Sequence, residues 1–183
     1  MDLMRKAVKR LESIRSFSRL IPESQSNLVM ALSGAEGVED VAGIPGRIVK
    51  IYDEVRASDH PWFGASHHVA RAILTAMKHD PRIRSAMNLR YGRELVETAR
   101  KLGWSISFYD RREEPEEIKR MEGMTIPWGV ETAIKRLGKV PDIIYHEGDW
   151  GKEPMLLILG RDPLEVVQKA EKLAQEAFKE KNG

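Results

Sequence analysis

Residues Pro61 to Arg71 read P-W-F-G-A-S-H-H-V-A-R, a Gly/Ser turn that runs into a helix with two histidines in its first turn. A helix start carries unpaired backbone N–H groups and a partial positive charge, and together they favour a bound anion. Ser66 is placed to cap this helix, and Val69, Ala70, Ile73, Leu74 and Met77 form its buried stripe. Adjacent helical residues point about 100° apart, so His67 and His68 cannot face one site equally. His68 and Arg71, three residues apart, share a face. A histidine that protonates a leaving phosphate beside an arginine that holds it is a coherent constellation. The same residues also fit a capped amphipathic helix with surface histidines.

Other segments carry chemistry of the same kind. Arg47 follows I-P-G, a rigid-then-flexible turn that offers a guanidinium for bidentate phosphate recognition, although it also fits an exposed strand start. In Asn88-Leu89-Arg90-Tyr91, alternation exposes Asn88 and Arg90 on one side of a strand end. The stretch G-D-W-G-K-E-P (148–154) places Lys152 on a glycine-flanked loop but lacks phosphate-loop spacing and precedes a strand. Asp149 or Glu153 on this loop could hold a hard cation such as Mg²⁺. The five histidines, at 60, 67, 68, 79 and 146, show no HExxH or HxH spacing, which leaves a zinc site as the weaker alternative.

The elements that must position these groups follow from hydrophobic period and punctuation. Helices are predicted over 2–20, His67–His79, 93–102, 127–137 and from Asp162-Pro163 to about 179. Strands are predicted over 27–32, 47–52, 54–58, 85–89, 104–109, 141–145 and 155–159, with a short helical turn at 38–41 stopped by Gly43. The run D-R-R-E-E-P-E-E (110–117) reads as a solvated helix start with Pro115 in its first turn. Some neighbouring strands are hairpin-linked and others helix-linked, so one α/β domain spanning 1–183 is expected, with a mixed sheet and helices on both faces.

Composition narrows the class. The chain has 183 residues, 42% of them hydrophobic, and a net charge of +2 with both signs interspersed, which suits a globular domain with no nucleic-acid footprint. Cysteine is absent, so disulfides, thiolate nucleophiles and cysteine metal sites are excluded. The 32% charged content without Cys also suits a thermophile. No apolar run has the length of a membrane span or the form of a signal peptide, and a cytoplasmic protein with no membrane partner is expected.

Eight segments in order resemble the archaeal-type thiamine-phosphate synthase domain, the ThiN family, often fused behind a hydroxymethylpyrimidine phosphate kinase. They are I-P-E-S-Q-S-N (21–27), E-D-V-A-G-I-P-G-R-I-V (39–49), F-G-A-S-H-H-V-A-R (63–71), A-M-N-L-R-Y (86–91), F-Y-D-R-R-E-E-P (108–115), W-G-V-E (128–131), G-K-E-P (151–154) and L-G-R-D-P (159–163). The resemblance implies a three-layer α/β/α fold similar to class II aldolases (AraD-like). It implies the joining of hydroxymethylpyrimidine diphosphate to a thiazole phosphate, with release of pyrophosphate and Mg²⁺ as the expected cofactor. It casts Arg47 and His68 as catalytic; beside it, Asn27, Gly64, Ser66, Arg71, Asn88, Arg90 and Lys152 are the candidate substrate-binding residues, and Asp149, Glu153 or Asp110 the metal candidates. The family pattern P-E-V-G-S-N stands here as P-E-S-Q-S-N, and His67 occupies a position that is usually basic.

The kinase is missing from this sequence, which is expected to be a stand-alone synthase or an excised piece. Homo-oligomer contacts or substrate walls are expected around the apolar Trp62 and Trp150. The alternative from another class is a non-catalytic thiamine-phosphate sensor of a regulator; a single helix before the first strand is too little for a helix-turn-helix. A zinc-dependent aldolase rests on fold analogy alone.

Overall fold

Side-chain alternation along the central strands decides the architecture. In β1 (Leu28–Ala31), Leu28 and Met30 face one core while Val29 and Ala31 face another. In β6 (Ser85–Arg90), β8 (Ile143–His146) and β9 (Met155–Gly160), Met87, Leu89, Ile143, Leu156 and Ile158 join the first core, and Ala86, Ile144, Leu157 and Leu159 the second. Successive strand residues point to opposite faces, so strands apolar at every position must be covered on both sides.

The computed structural model describes residues 1–179 and shows how that cover is supplied. Helices α1 (Asp2–Glu12), α3 (Arg93–Lys101) and α6 (Pro163–Ala177) bring Met4, Leu11, Leu95, Val166 and Leu173 to the first core. Helices α2 (His68–His79) and α5 (Thr125–Leu137) bring Val69, Ile73, Val130 and Ile134 to the second. Helix α6 starts where Asp162 accepts the Glu165 N–H at 2.9 Å, with Pro163 in its first turn.

Among the described residues the main sheet runs β5 (Trp62–Phe63), β2 (Val41–Gly43), β1, β6, β9, β8, β7 (Ile106–Phe108). The β7–β8 pair is parallel and the other neighbours are antiparallel, so the described residues form one α/β domain with a mixed sheet. The hairpin of β3 (Ile48–Ile51) and β4 (Glu54–Ala57) stands apart as a second, two-stranded sheet. No helix of the described residues is long and apolar enough to cross a membrane.

Several elements differ from the sequence-based expectation. The helix expected over 2–20 divides at Ser13–Ile14 into α1 and a 3-10 turn, Arg15–Leu20, although the apolar spacing continues across the break. Val41–Gly43, read as the stop of a helical turn, is a buried strand, and Trp62–Phe63 is a further strand too short for any period to show. The run 110–117 divides into a 3-10 turn, Arg111–Glu113, and α4 (Glu116–Arg120), with Pro115 preceding α4 and not inside its first turn.

Candidate active site

The turn that carries Arg47 is built by its neighbours. The Arg47 N–H donates to the Ile44 carbonyl at 3.2 Å, which closes a turn over Pro45 and Gly46. Gly46 has φ of 65°, and proline followed by a left-handed glycine is the residue order of a type II turn. A Cβ on Gly46 would also crowd Ser58, whose hydroxyl donates to the Gly46 carbonyl at 2.9 Å. Arg47 itself sits at φ 73° and Gln25 opposite it at φ 67°. Each left-handed non-glycine residue costs about 1–2 kcal/mol, so surrounding bonds must hold both in place.

Those bonds run through two asparagines. The Asn27 side chain accepts the Ile44 N–H and donates to the Ile44 carbonyl, both at 2.9 Å. The Asn27 N–H donates in turn to Asn88 Oδ1 at 2.7 Å, and Asn88 Nδ2 donates to the Gln25 carbonyl at 3.0 Å. The Arg47 guanidinium then donates to the Ser24 carbonyl. Asn27 therefore acts as a strand partner for Ile44, and its amide group is occupied in positioning the arginine.

Helix α2 begins differently from the expectation. His67, not Ser66, occupies the N-cap position, and no side chain caps the helix. The first-turn N–H groups thus carry no side-chain cap, and Ser66, one residue before the N-cap, is buried. Burial lowers the His68 pKa below the ordinary histidine value, and the positive charges of Arg47 and Arg71 and the neighbouring His67 act in the same direction.

These groups meet at one cavity of about 720 Å³. Its polar wall includes Arg47, Arg111, Lys152, His67, His68 and His146, and no aspartate or glutamate lines it. Val69, Ala72, Ile126, Val130, Ile144 and Leu157 supply an apolar surface for flat rings. Lys152 makes no side-chain hydrogen bond or ion pair among the described residues. Positive groups, open helix N–H groups and the lack of carboxylates make this a site for anions.

Comparison with known proteins identifies the family. The family model described as "Thiamine-phosphate synthase ThiN" matches residues 3–172. The chain belongs to the ThiN family. It is 42% identical over 170 residues, 93% of this chain and 90% of the relative, to thiamine-phosphate synthase ThiN of Methanothermobacter thermautotrophicus. The bifunctional thiamine biosynthesis protein ThiDN of Methanocaldococcus jannaschii is 42% identical over 159 residues, which cover 83% of this chain and 35% of that protein. A crystal structure of the C-terminal domain of phosphomethylpyrimidine kinase aligns at TM-score 0.88 and 52% identity, over 94% of this chain and 96% of the other. A sugar-phosphate aldolase from Thermotoga maritima aligns at TM-score 0.53 with 10% identity over 95% of this chain and 93% of the other, a likeness of fold alone.

Of the residues singled out in the sequence, the ThiN cavity brings together Asn27, Arg47, Ser66, His68, Asn88 and Lys152. Gly64 and Arg71 lie outside the lining, and the Arg71 guanidinium packs against Gly123, which does line it. Arg90 is turned away, donating to the Arg19 carbonyl at 2.6 Å and to Glu94 at 2.7 Å. Trp62 and Trp150 are 62% and 98% exposed and form no part of this cavity wall.

Of the metal candidates, Glu153 stands apart from Asp110 and Asp149. Among the described residues no three His, Asp or Glu side chains come together as a metal site, zinc included. Asp110 holds Arg112 in a bidentate pair at 2.9 and 2.5 Å, which keeps its carboxyl down at about 2. Glu153 accepts the N–H groups of Glu23 and Ser24 at 2.7 and 3.1 Å. Asp149 lies with Asp110, Arg112 and Glu147 in an adjoining recess of about 430 Å³.

Sequence reasoning missed three lining residues: Tyr109, Arg111 and His146 as an anion group. Tyr109 is buried, and burial raises its hydroxyl pKa, so it remains protonated. Its ring lies against Gly129 of α5, where a Cβ would overlap it, which gives the W-G-V-E segment its physical meaning. Burial, assisted by the charge of Arg111, pushes His146 down to about 4, so its imidazole is neutral at pH 7.

Proposed function

We propose that the cavity joins hydroxymethylpyrimidine diphosphate to a thiazole phosphate and releases thiamine phosphate and pyrophosphate. The supporting observation is a ring-sized apolar cavity whose charged groups are all basic. The carbon–oxygen bond to the diphosphate breaks with its electron pair leaving on oxygen. The resulting pyrimidine methylene cation accepts the lone pair of the thiazole nitrogen, which becomes the thiazolium of the product. Rate then depends on stabilising the departing charge and aligning two rings, and no protein nucleophile is required.

Arg47 and His68 are the proposed catalytic residues. Arg47 neutralises the departing diphosphate from its strained turn, and the uncapped start of α2 donates backbone N–H groups to it. A neutral His68 donates one hydrogen bond, and it takes up a proton from solvent as diphosphate charge gathers beside it. The apolar walls align the rings, and Asn27 and Asn88 hold the arginine turn. Ser66 and Lys152 are proposed substrate contacts. Mg²⁺ is proposed to accompany the diphosphate substrate, whose charge it would offset. An AraD-like three-layer fold is the proposed wider kinship, supported by the helices on both sheet faces.

The test is incubation of the protein with both substrates and Mg²⁺, with thiamine phosphate followed as fluorescent thiochrome after oxidation. Product above a no-enzyme control is expected. No product, with thiamine phosphate still raising the melting temperature, would replace this reading with a non-catalytic thiamine-phosphate sensor.

A further inference from the structure

We infer that the cavity holds two anions at separate ends, and that Arg111 receives the phosphate of the thiazole substrate while Arg47 and His68 face the diphosphate. The inference rests on the reaction proposed above and assigns its second substrate to a subsite.

The positive charge of the cavity falls into two groups. Arg47 follows β2 near one edge of the main sheet, whereas His146 ends β8 and Arg111 follows β7 at the other edge, with β1, β6 and β9 between them and Lys152 on the β8–β9 loop. His68 and His146 line the same cavity, so it has two basic centres, each with its own histidine. The proposed reaction brings together two substrates, each ending in a phosphate ester. Both anions on one centre would repel each other.

The Arg111 end is a built site. Its guanidinium lies 3.8 Å from the carboxylate of Glu114, whose side chain is only 3% exposed. Glu114 also accepts the Thr125 hydroxyl at 2.5 Å. The buried carboxylate fixes where the guanidinium sits, yet at 3.8 Å it leaves the donors of Arg111 free to bind an incoming anion. Arg112, the next residue, is instead paired with Asp110 at the surface.

His146 supplies the second donor. Its Nδ1 accepts the Gly148 N–H at 3.1 Å, which leaves the proton of the neutral ring on Nε2. Nε2 has no protein partner among the described residues, and the side chain is buried at the cavity wall. A neutral donor beside a guanidinium suits a phosphate monoester. The Tyr109 hydroxyl, also without a hydrogen-bond partner among the described residues, completes the cluster.

The geometry of the thiazole supports the same orientation. Its reacting nitrogen and its phosphoethyl arm lie on opposite sides of the ring. A phosphate anchored at Arg111 therefore turns the nitrogen back toward the methylene carbon, whose diphosphate is held at Arg47. Arg111 is a binding residue in this arrangement, and Glu114 positions it.

The test compares thiazole phosphate with the corresponding thiazole alcohol as acceptors in the full chain. Arg111→Ala should raise KM for thiazole phosphate about ten- to hundred-fold, the range for a lost charge-assisted bond. KM for the pyrimidine diphosphate and for the alcohol should change less than about twofold, since neither loses a contact. Glu114→Gln should raise KM for thiazole phosphate in the same direction and leave the alcohol unaffected. The double variant Arg111→Gln/Glu114→Gln leaves no unpaired buried carboxylate and guards against misfolding. An unchanged preference for phosphate over alcohol, or a rise confined to the diphosphate, would overturn the assignment. Calorimetry separates this from failure of the reaction itself. Arg111→Ala should lose binding of thiazole phosphate and keep pyrophosphate, and Arg47→Ala should do the reverse. That split decides the two-anion arrangement even where the wild-type chain shows no turnover, and its absence there overturns it.

Discussion

The two ends of the cavity solve one problem, presenting positive charge to an anion, by different means. At the Arg47 end the charge rides on loops: a tight turn, two residues in left-handed backbone, and an uncapped helix start. An asparagine network supplies the rigidity that the loops lack. At the Arg111 end the charge is set by burial, with a carboxylate beneath the guanidinium and a neutral histidine on a strand end. The first arrangement concentrates donors on one point, which suits a leaving group whose charge grows during reaction. The second offers fixed donors of moderate charge, which suits holding a phosphate that does not react. In the proposed assignment, strain and open backbone accompany the chemistry, and ordinary packing accompanies the binding.

The contrast breaks most sharply at the reacting end. Arg47→Ala and His68→Ala are each expected to reduce turnover by about 10²–10³-fold or more while circular dichroism stays unchanged. Near-normal turnover in either variant removes that residue from the catalytic role. Arg111→Ala, by contrast, should act on KM for one substrate.

Acid titration sharpens the contrast at His146. Its native pKa lies near 4 against 6.5 for a free histidine, so the unfolded chain binds more protons between those values. Stability from this group is complete above pH 6.5 and falls as pH drops toward 4, by about 3 kcal/mol in all. Denaturant unfolding at pH 7 and pH 4.5 should therefore show a smaller loss in His146→Gln than in the wild type. An equal loss would mean that His146 is not buried neutral.

The asparagine network gives a smaller effect. Asn27→Ala leaves the buried Ile44 N–H without a partner and removes one of the two donors to the Ile44 carbonyl, a cost of about 1–3 kcal/mol in thermal or urea unfolding. Turnover should fall with it because Arg47 loses its frame, while KM for thiazole phosphate should hold. The smallest effect is a fraction of a proton. The His68 pKa is lowered in the free cavity, so pyrophosphate should raise it and draw in a proton on binding. Calorimetry in two buffers of different ionisation enthalpy measures that uptake, and His68→Gln should abolish it.

Legibility in the sequence followed the same division. G-A-S-H-H and I-P-G-R could be read because turn chemistry and a helix start are local, and the resemblance agreed with both. The helix start was legible and its cap was not, since Ser66 and His67 differ only in how the chain enters the turn. Arg111 was hidden inside D-R-R-E-E-P, where every charge looks solvated. Only tertiary burial of Glu114 separates Arg111 from Arg112. The function of Asn27 depends on Ile44, seventeen residues away, and no spacing rule connects them. Strands of two or three residues, such as Trp62–Phe63 and Val41–Gly43, carry too little pattern to be seen before the sheet is assembled.

The strand order carries a consequence for folding. The middle of the sheet joins β1 to β6 and β6 to β9, three segments drawn from the start, the middle and the end of the chain. The cavity wall takes Asn27, Asn88 and Leu157 from or beside those same strands. The cavity wall is therefore complete only when these sequence-distant strands are all paired. A ligand that spans both ends is then linked to global unfolding and not to the loosening of one loop. Its binding free energy adds directly to the stability of the entire domain, and a melting curve becomes a measure of affinity.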